Sequence, residues 1–399
     1  MKRYVIIGNG VAGATAADTI RRLDPESQIT IFSQEPEPFY YRVRLPDVVA
    51  GQADLSGITI HPLGWYEKKK IDLRLGETVA EVDVSGRIVK GGQGTNVEYD
   101  ALLLAVGSRS FIPPVPGTDK QGVLALRSWA DAQAIAARAD QVDTAVLIGG
   151  GLLGLEAGYG LSRRGLKVHV VEFFDRLLPR QMDPTGAAKL QKILEGMGFS
   201  FYLGARAKEI LGERAAEGLA LEDGRNIPGG LVLFSAGVRP NLDLAQAMGL
   251  DTDKGVKVDD YLKTSQKNVW AAGDLVEHRG RVYGVWPAAG TQGETAGKNM
   301  TGDRAVYEGT VLSNSLKVVG VDLTAAGDID PEGKLESAVY EDEIVYRKIV
   351  FDQGRLTGFI FFGLTTGVKE CRAALEKGAN VSKFAEAMKG RDFDFSLLS

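Results

Sequence analysis

The chain has 399 residues, 44% of them hydrophobic and 25% charged, which are ordinary values for a globular protein with room for roughly two to four domains. Its net charge of −5 gives no basis for binding nucleic acid or an anionic membrane surface, and no apolar run approaches the ~20 residues of a membrane span. One cysteine, Cys371, allows no intrachain disulfide, and with three scattered histidines no metal site is expected; this cysteine usage fits a reducing cytoplasm.

Residues 1–17, MKRYVIIGNGVAGATAA, superficially resemble a signal peptide, but their glycine spacing explains them better. Tyr4–Ile7 predicts a strand, Gly8, Gly10 and Gly13 form a GxGxxG loop, and a helical pattern runs through Arg22. Strand, glycine loop and helix in this order are what a dinucleotide fold requires. The first glycine permits the turn, the second lets backbone approach a pyrophosphate, and the third lets helix and strand pack. The anion then sits on unpaired helix N-terminal amides. Ile29–Phe32 predicts the second strand. Ser33 occupies the usual acidic position there, and Glu35 is the substitute acid for a ribose, although a serine can also hydrogen-bond one.

Residues 39–46 then read FYYRVRLP, aromatic and basic with no thiol. Three prolines stiffen Phe111–Gly117, which predicts a crossing between domains. The first pattern then returns. Val146–Ile148 precede Gly149, Gly151 and Gly154, and a helical pattern runs to about Arg163. Lys167–Val171 predict a strand ending at Glu172, 18 residues after Gly154. A carboxylate at this spacing accepts from a ribose 2′-OH and repels a 2′-phosphate, which predicts NADH rather than NADPH. Two such loops imply two dinucleotides, and hydride exchange between a nicotinamide and a flavin is the economical reason to hold both.

With these motifs, further stretches resemble the two-dinucleotide flavoprotein superfamily of pyridine nucleotide-dependent reductases. Ala101–Gly107 resembles its Ala-Thr-Gly strand end, with Val106 in place of Thr. Residues 232–241, VLFSAGVRPN, resemble the return crossing. Residues 268–274, NVWAAGD, resemble the strand whose last aspartate holds the flavin ribityl chain, and Trp286–Gly293 the helix facing the flavin pyrimidine. The resemblance implies an α/β fold with two Rossmann-like domains and a small α+β C-terminal domain. The expected boundaries are 1–110 with 236–305 for FAD, 111–235 for NAD, and 306–399 for the tail. It implies FAD contacts at Gly8, Gly10, Ala12, Gly13, Glu35, Arg42, Val79, Ala105, Gly107, Gly273, Asp274 and Trp286. It implies NADH/NAD contacts at Gly149, Gly151, Leu153, Gly154, Glu172 and Gly237.

In the tail, Leu316–Asp322 predicts a strand, Ile344–Phe351 and Leu356–Phe362 a hairpin around Gln353-Gly354, and Lys369–Glu376 a helix. This tail and the EPEPFYYRVRLP segment resemble NADH:rubredoxin reductases and the flavin-binding part of assimilatory nitrite reductases. The chain lacks the cysteines that iron–sulfur ligation needs, so nitrite chemistry does not transfer. Relatives that reduce disulfides or peroxide place cysteine where this chain has FYYRVRLP. Without a thiol, electrons are expected to leave the flavin directly for a one-electron carrier: rubredoxin, ferredoxin or a partner iron–sulfur subunit. Trp286 is expected at the flavin edge. Glu156 either positions the nicotinamide or decorates a helix face. Arg44, Arg279 and Arg281 are expected as a basic rim for an acidic carrier. Two other readings stay open: an oxidase or diaphorase using oxygen or quinones, and an NADH-sensing binding module. The chain either stands alone or is the flavin subunit of a larger redox complex.

Overall fold

The computed structural model describes residues 1–310, 313–318 and 320–398. The chain begins with β1 (Arg3–Ile7), α1 (Val11–Leu23), β2 (Gln28–Ser33), α2 (Leu45–Val49), β3 (Ile71–Leu75) and β4 (Ala101–Leu104), with a small antiparallel sheet inserted over residues 79–98. A second series follows: β5 (Thr144–Ile148), α3 (Leu152–Arg163), β6 (Lys167–Val171), α4 (Pro184–Gly196), β7 (Phe199–Tyr202) and β8 (Leu231–Phe234). The chain returns through β9 (Val269–Ala271) and α5 (Trp286–Thr301). It ends with β10 (Ser313–Val318), β11 (Val321–Gly327), β12 (Glu336–Glu341), β13 (Tyr346–Asp352), β14 (Arg355–Phe362) and α6 (Val368–Lys377).

Two compact units result. The first comprises residues 1–44, 53–110 and 238–310, and the second residues 45–52, 111–237 and the described residues from 313 onward. In the first unit, five parallel strands run in the order β9-β4-β1-β2-β3. In the second, the order is β7-β6-β5-β8 followed by the strand Val123–Ala125, again all parallel. The central strands are nearly continuous apolar runs, such as Ala101–Leu104 and Leu231–Phe234, because both faces of such a sheet are covered. In the first unit, α1 packs on α5 at glycines. A Cβ on Gly293 would lie 2.3 Å from the Ala12 carbonyl oxygen, so a larger residue would force the helices apart.

In the tail, five antiparallel strands run β10-β11-β14-β13-β12 and bury one face against α6 and the C-terminal turns. The expected strand over 316–322 is instead the end of β10 and the start of β11, paired antiparallel with Val318 opposite Val321, and Val319 lies outside the described residues. The apolar pattern Leu316–Val321 runs straight across a turn at Gly320, whose φ is +82°. The hairpin at Gln353-Gly354 forms where expected, with φ of 48° and 76°, the two left-handed residues of a tight hairpin turn. Within the second unit, Asp183 caps α4, and its carboxylate accepts from the Tyr346 hydroxyl and lies 3.3 Å from the Lys348 ammonium. All three groups are buried, and removing one partner from such a pair costs about 3–5 kcal/mol.

Candidate dinucleotide sites

Gly8 ends β1 with φ of +115°, and a Cβ there would lie 2.2 Å from the Ala105 carbonyl oxygen. Gly13 is as restricted, since its Cβ would meet the Gly8 carbonyl oxygen at 2.0 Å. Gly10 differs: nothing lies within 4 Å of its Cβ position, and as N-cap of α1 it offers no side chain to the helix amides. The loop is thus closed on its protein side and open at the position where a pyrophosphate would approach. Ala12 is buried behind it, with Gly273 so close that a Cβ would lie 3.2 Å from the Ala12 methyl. Asn9 accepts from the Tyr66 hydroxyl at 2.9 Å, while its buried amide nitrogen has no partner, an unused donor beside the loop. A cradle and an orphaned donor fit an anionic dinucleotide.

The remaining candidates of the first unit gather around this loop. Ser33 donates to the Glu35 carbonyl at 3.0 Å, so its hydroxyl is committed to its own turn. The Glu35 carboxylate pairs with Arg42 and accepts from the Tyr40 hydroxyl. Arg42 also feels the charge of Asp274. Asp274 accepts from the Ser108 hydroxyl at 2.9 Å. Gly273, with φ of +94°, donates its amide to the Gln292 side chain at 2.8 Å, tying the strand end to α5. Ala105 is buried, and Gly107 turns with φ of +65° just after β4. Val79, half-buried, opens the inserted sheet.

The FYYRVRLP segment splits its labour. Phe39 stacks on Trp286 at 5.7 Å and Tyr41 meets the same ring edge-on at 4.8 Å, which fixes Trp286 at the start of α5. Phe39 continues to His61 at 5.4 Å, and His61 stacks on Trp65 at 3.9 Å. Arg44 donates to the Gly57 carbonyl at 3.0 Å. The expected basic rim is weaker than its sequence suggests. Arg279 is paired with Asp260 at 2.8 Å and with Glu308 at 3.6 Å, so two carboxylates cancel its charge. The sequence signal for that was the acid pair Asp259-Asp260, distant in the chain.

The second loop repeats the first. Gly149 has φ of +113°, and its Cβ would lie 2.4 Å from the Ser235 carbonyl oxygen. Gly154 would meet the Gly149 carbonyl oxygen at 2.7 Å, whereas the nearest atom to Gly151 is 4.0 Å away. Leu153 is half-buried on the first turn of α3, and Gly237, with φ of +92°, has open space around it. Glu172 ends β6 as a buried carboxylate. One oxygen accepts from the Gly150 amide at 2.5 Å and the other from Phe174 at 2.9 Å, which leaves lone pairs on both. Sequence reasoning missed that this acid also holds its own glycine loop. It also missed Phe173, 55% exposed beside it, with the Arg206 guanidinium 4.6 Å from its ring centroid. Glu156 is half-buried on α3. Burial, and then the charge of Asp47, push its carboxyl up to about 7.

Cys371 is fully buried in the tail's core, and burial pushes its thiol up to about 12, so it is a packed apolar residue. A cavity of about 840 Å³ in the tail, between α6 and residues 391–396, contains none of the motif residues. Among the described residues, no cluster of histidine, cysteine or carboxylate side chains could hold a metal, and no helix is long and apolar enough to cross a membrane.

Two α/β units, each with a glycine loop at the end of its first strand, define a flavin- and pyridine-nucleotide-dependent oxidoreductase. The chain belongs to the pyridine nucleotide-disulphide oxidoreductase family, which it matches over residues 2–293, and FAD and NAD(H) are that family's cofactors. Residues 313–379 match the rubredoxin NAD+ reductase C-terminal domain. The chain is 38% identical over 386 residues to nitrite reductase [NAD(P)H] of Bacillus subtilis, covering 96% of this chain and 48% of that protein. It is 30% identical over 345 residues to NADH-rubredoxin oxidoreductase of Clostridium acetobutylicum, covering 86% of each. The chain spans about half the length of the nitrite reductase and of a B. subtilis assimilatory nitrate reductase electron transfer subunit. Among solved structures, a ferredoxin reductase from Rhodopseudomonas palustris superposes with a TM-score of 0.90 at 25% identity, covering 100% of this chain and 99% of that one.

Proposed function

We propose that this chain is an NADH-dependent flavoprotein reductase that passes electrons from NADH through FAD to a one-electron carrier protein. Rubredoxin, ferredoxin and a partner iron–sulfur subunit are the candidate acceptors. The observation that carries the reading is the aromatic and basic segment at residues 39–44, which holds Trp286 and Arg42 where sulfur-dependent relatives place cysteine. The one cysteine is buried far along the chain in the tail's core. FAD held here would supply a hydride acceptor for NADH that can release its electrons singly.

The residues of the chain supply the binding and the electrostatics. The open face at Gly10 and the first-turn amides of α1 hold the FAD pyrophosphate. Asp274, oriented by Ser108, accepts from the ribityl chain. Arg42 sets a positive charge beside it, kept in place by Glu35 and Tyr40. The N-terminal amides of α5 favour negative charge on the flavin pyrimidine. Trp286, clamped by two rings, shields the flavin edge. Gly151 admits the NADH pyrophosphate, and Glu172 takes the 2′-OH of its ribose.

The NADH-rubredoxin oxidoreductase named above supports a carrier as acceptor, while a Methanocaldococcus jannaschii relative named NADH oxidase, 34% identical over 340 residues, favours oxygen as a second reading. Stopped-flow mixing separates them. The protein reduced by NADH without oxygen is mixed with oxidised rubredoxin or ferredoxin, or with oxygen. Reoxidation by a carrier at least tenfold faster than by oxygen is expected. Faster reoxidation by oxygen than by every carrier would overturn the reductase reading.

A further inference from the structure

The first glycine loop carries a side chain that the second lacks. Asn9 stands between Gly8 and Gly10, and Gly150 holds the same place between Gly149 and Gly151. Gly150 has no room for a side chain, since a Cβ there would lie 2.8 Å from the Leu177 side chain and 3.2 Å from the Glu172 carboxylate. Asn9 is 9% exposed and is next in the chain to the open position at Gly10.

Hydrogen bonds fix which way the Asn9 amide points. Its Oδ1 accepts from the Tyr66 hydroxyl at 2.9 Å. Tyr66, on the helical turn Leu63–Lys68, is buried, and the Phe39 backbone also hydrogen-bonds its hydroxyl. The Phe39 carbonyl already accepts from the Ile60 and His61 amides, at 2.9 and 3.2 Å, so the group it turns to Tyr66 is its N–H. With a donor on one side, the hydroxyl keeps its own proton for Asn9. That bond commits the Asn9 oxygen. The Nδ2 group is left buried, with no acceptor among the described residues. A buried donor without an acceptor is costly, and a ligand that brings one recovers the cost on binding.

We propose that the Asn9 side-chain amide donates to the pyrophosphate of FAD in the first loop, and that Tyr66 is the positioning residue that turns the amide toward it. The inference rests on the reading of the first loop as the FAD site. At the same place the second loop has only backbone, and the Gly150 amide is spent on Glu172. One loop thus grips its dinucleotide with an extra donor and retains it, while the other lets its dinucleotide exchange. The bonds that orient Asn9 start at Phe39, which also stacks on Trp286. The segment proposed to face the flavin edge therefore helps to hold the flavin.

The test follows flavin release. The flavin-loaded protein is diluted, and the rise of flavin fluorescence gives the release rate, with far-ultraviolet circular dichroism as the check on the fold. Asn9→Ala should release FAD at least about tenfold faster, the loss expected of one hydrogen bond to a charged group. Asn9→Asp keeps an acceptor for Tyr66 but sets a negative charge beside the pyrophosphate. It should release faster than Asn9→Ala, and the gap between the two should narrow as salt rises. Tyr66→Phe keeps the amide and lets it turn, so release should quicken several-fold but less than in Asn9→Ala. Unchanged release in Asn9→Ala overturns the donor. Asn9→Asp no faster than Asn9→Ala overturns the pyrophosphate as its acceptor. Tyr66→Phe removes only a hydroxyl, so it tests the arrangement even where the Asn9 variants fail to fold, and unchanged release in it overturns the positioning role. Flavin retained in Gly10→Val overturns the reading of the first loop and this inference with it.

Discussion

The two glycine loops have the same backbone but different surroundings. In each, the first glycine is left-handed, at 115° and 113°, and a Cβ would strike the carbonyl oxygen of the residue just past a neighbouring strand. In each, the third glycine rests on the first, and the middle one faces open space. Beyond Asn9 and Gly150, the difference begins after the second strand. In the first unit the acidic position is Ser33, spent on its own turn, and the nearby acid Glu35 is bound to Arg42. In the second unit Glu172 is itself at the strand end and grips the loop through the Gly150 amide. The helices differ too: α1 has Thr15 at the offset where α3 has Glu156. The shared part is set by what a pyrophosphate needs from a backbone. In the proposed reading, the differing part is where two ligands, one retained and one exchanged, are told apart.

Paired substitutions at the open glycines should break this comparison with the largest effect. A Cβ at Gly10 would meet no protein atom within 4 Å, so in Gly10→Val the fold should survive while flavin is lost. Absorbance at 450 nm and a melting curve check both halves. Gly151→Val should instead keep the flavin and weaken NADH by at least tenfold, which is about 1.4 kcal/mol. Loss of flavin in the Gly151 variant, with Gly10→Val still yellow, would reverse the assignment of the loops.

The acids sharpen the contrast at a smaller scale. Glu172→Ala should narrow the preference for NADH over NADPH by about tenfold, since it removes the carboxylate that opposes a 2′-phosphate. Glu35→Ala should leave that preference alone and weaken flavin retention, because Arg42 loses the Glu35 carboxylate that helps hold it. Rates of flavin reduction at subsaturating NADH and NADPH decide, and an unchanged ratio in Glu172→Ala would show that the acid serves only to hold Gly150.

The smallest effect concerns stability. A carboxyl raised from its ordinary range to about 7 binds more protons folded than unfolded between about pH 4.5 and 7. Its contribution is therefore complete at the acid end of that window and lost as pH rises through it. Glu156→Gln should become more stable relative to the parent as pH increases from 5 to 8, by on the order of 1 kcal/mol. Denaturant unfolding at those pH values measures it. A gap that does not vary with pH would place Glu156 in an ordinary solvated position.

Much of this was legible in the residues. Glycine spacing after a short apolar run announces a turn that only glycine can make, and that requirement is local. The order of motifs along the chain announced both parallel sheets, because βαβ units join neighbouring strands in sequence. Turn chemistry placed the hairpin at Gln353-Gly354, yet the apolar run at 316–322 hid a turn, since hydrophobicity alone does not mark where a strand reverses.

What the sequence alone determined is the inventory: two dinucleotide loops, no thiol after the first, and an acid after the second. These depend on residue type and short spacing. Tertiary structure alone decided which charges are spent on each other. Arg279 reads as a cation for a partner until folding sets Asp260 and Glu308 beside it. Glu156 reads as a helix-face carboxylate until α2 crosses at Gly160 and brings Asp47. Electrostatic state depends on distance and burial in space, and residues well separated in the chain set both.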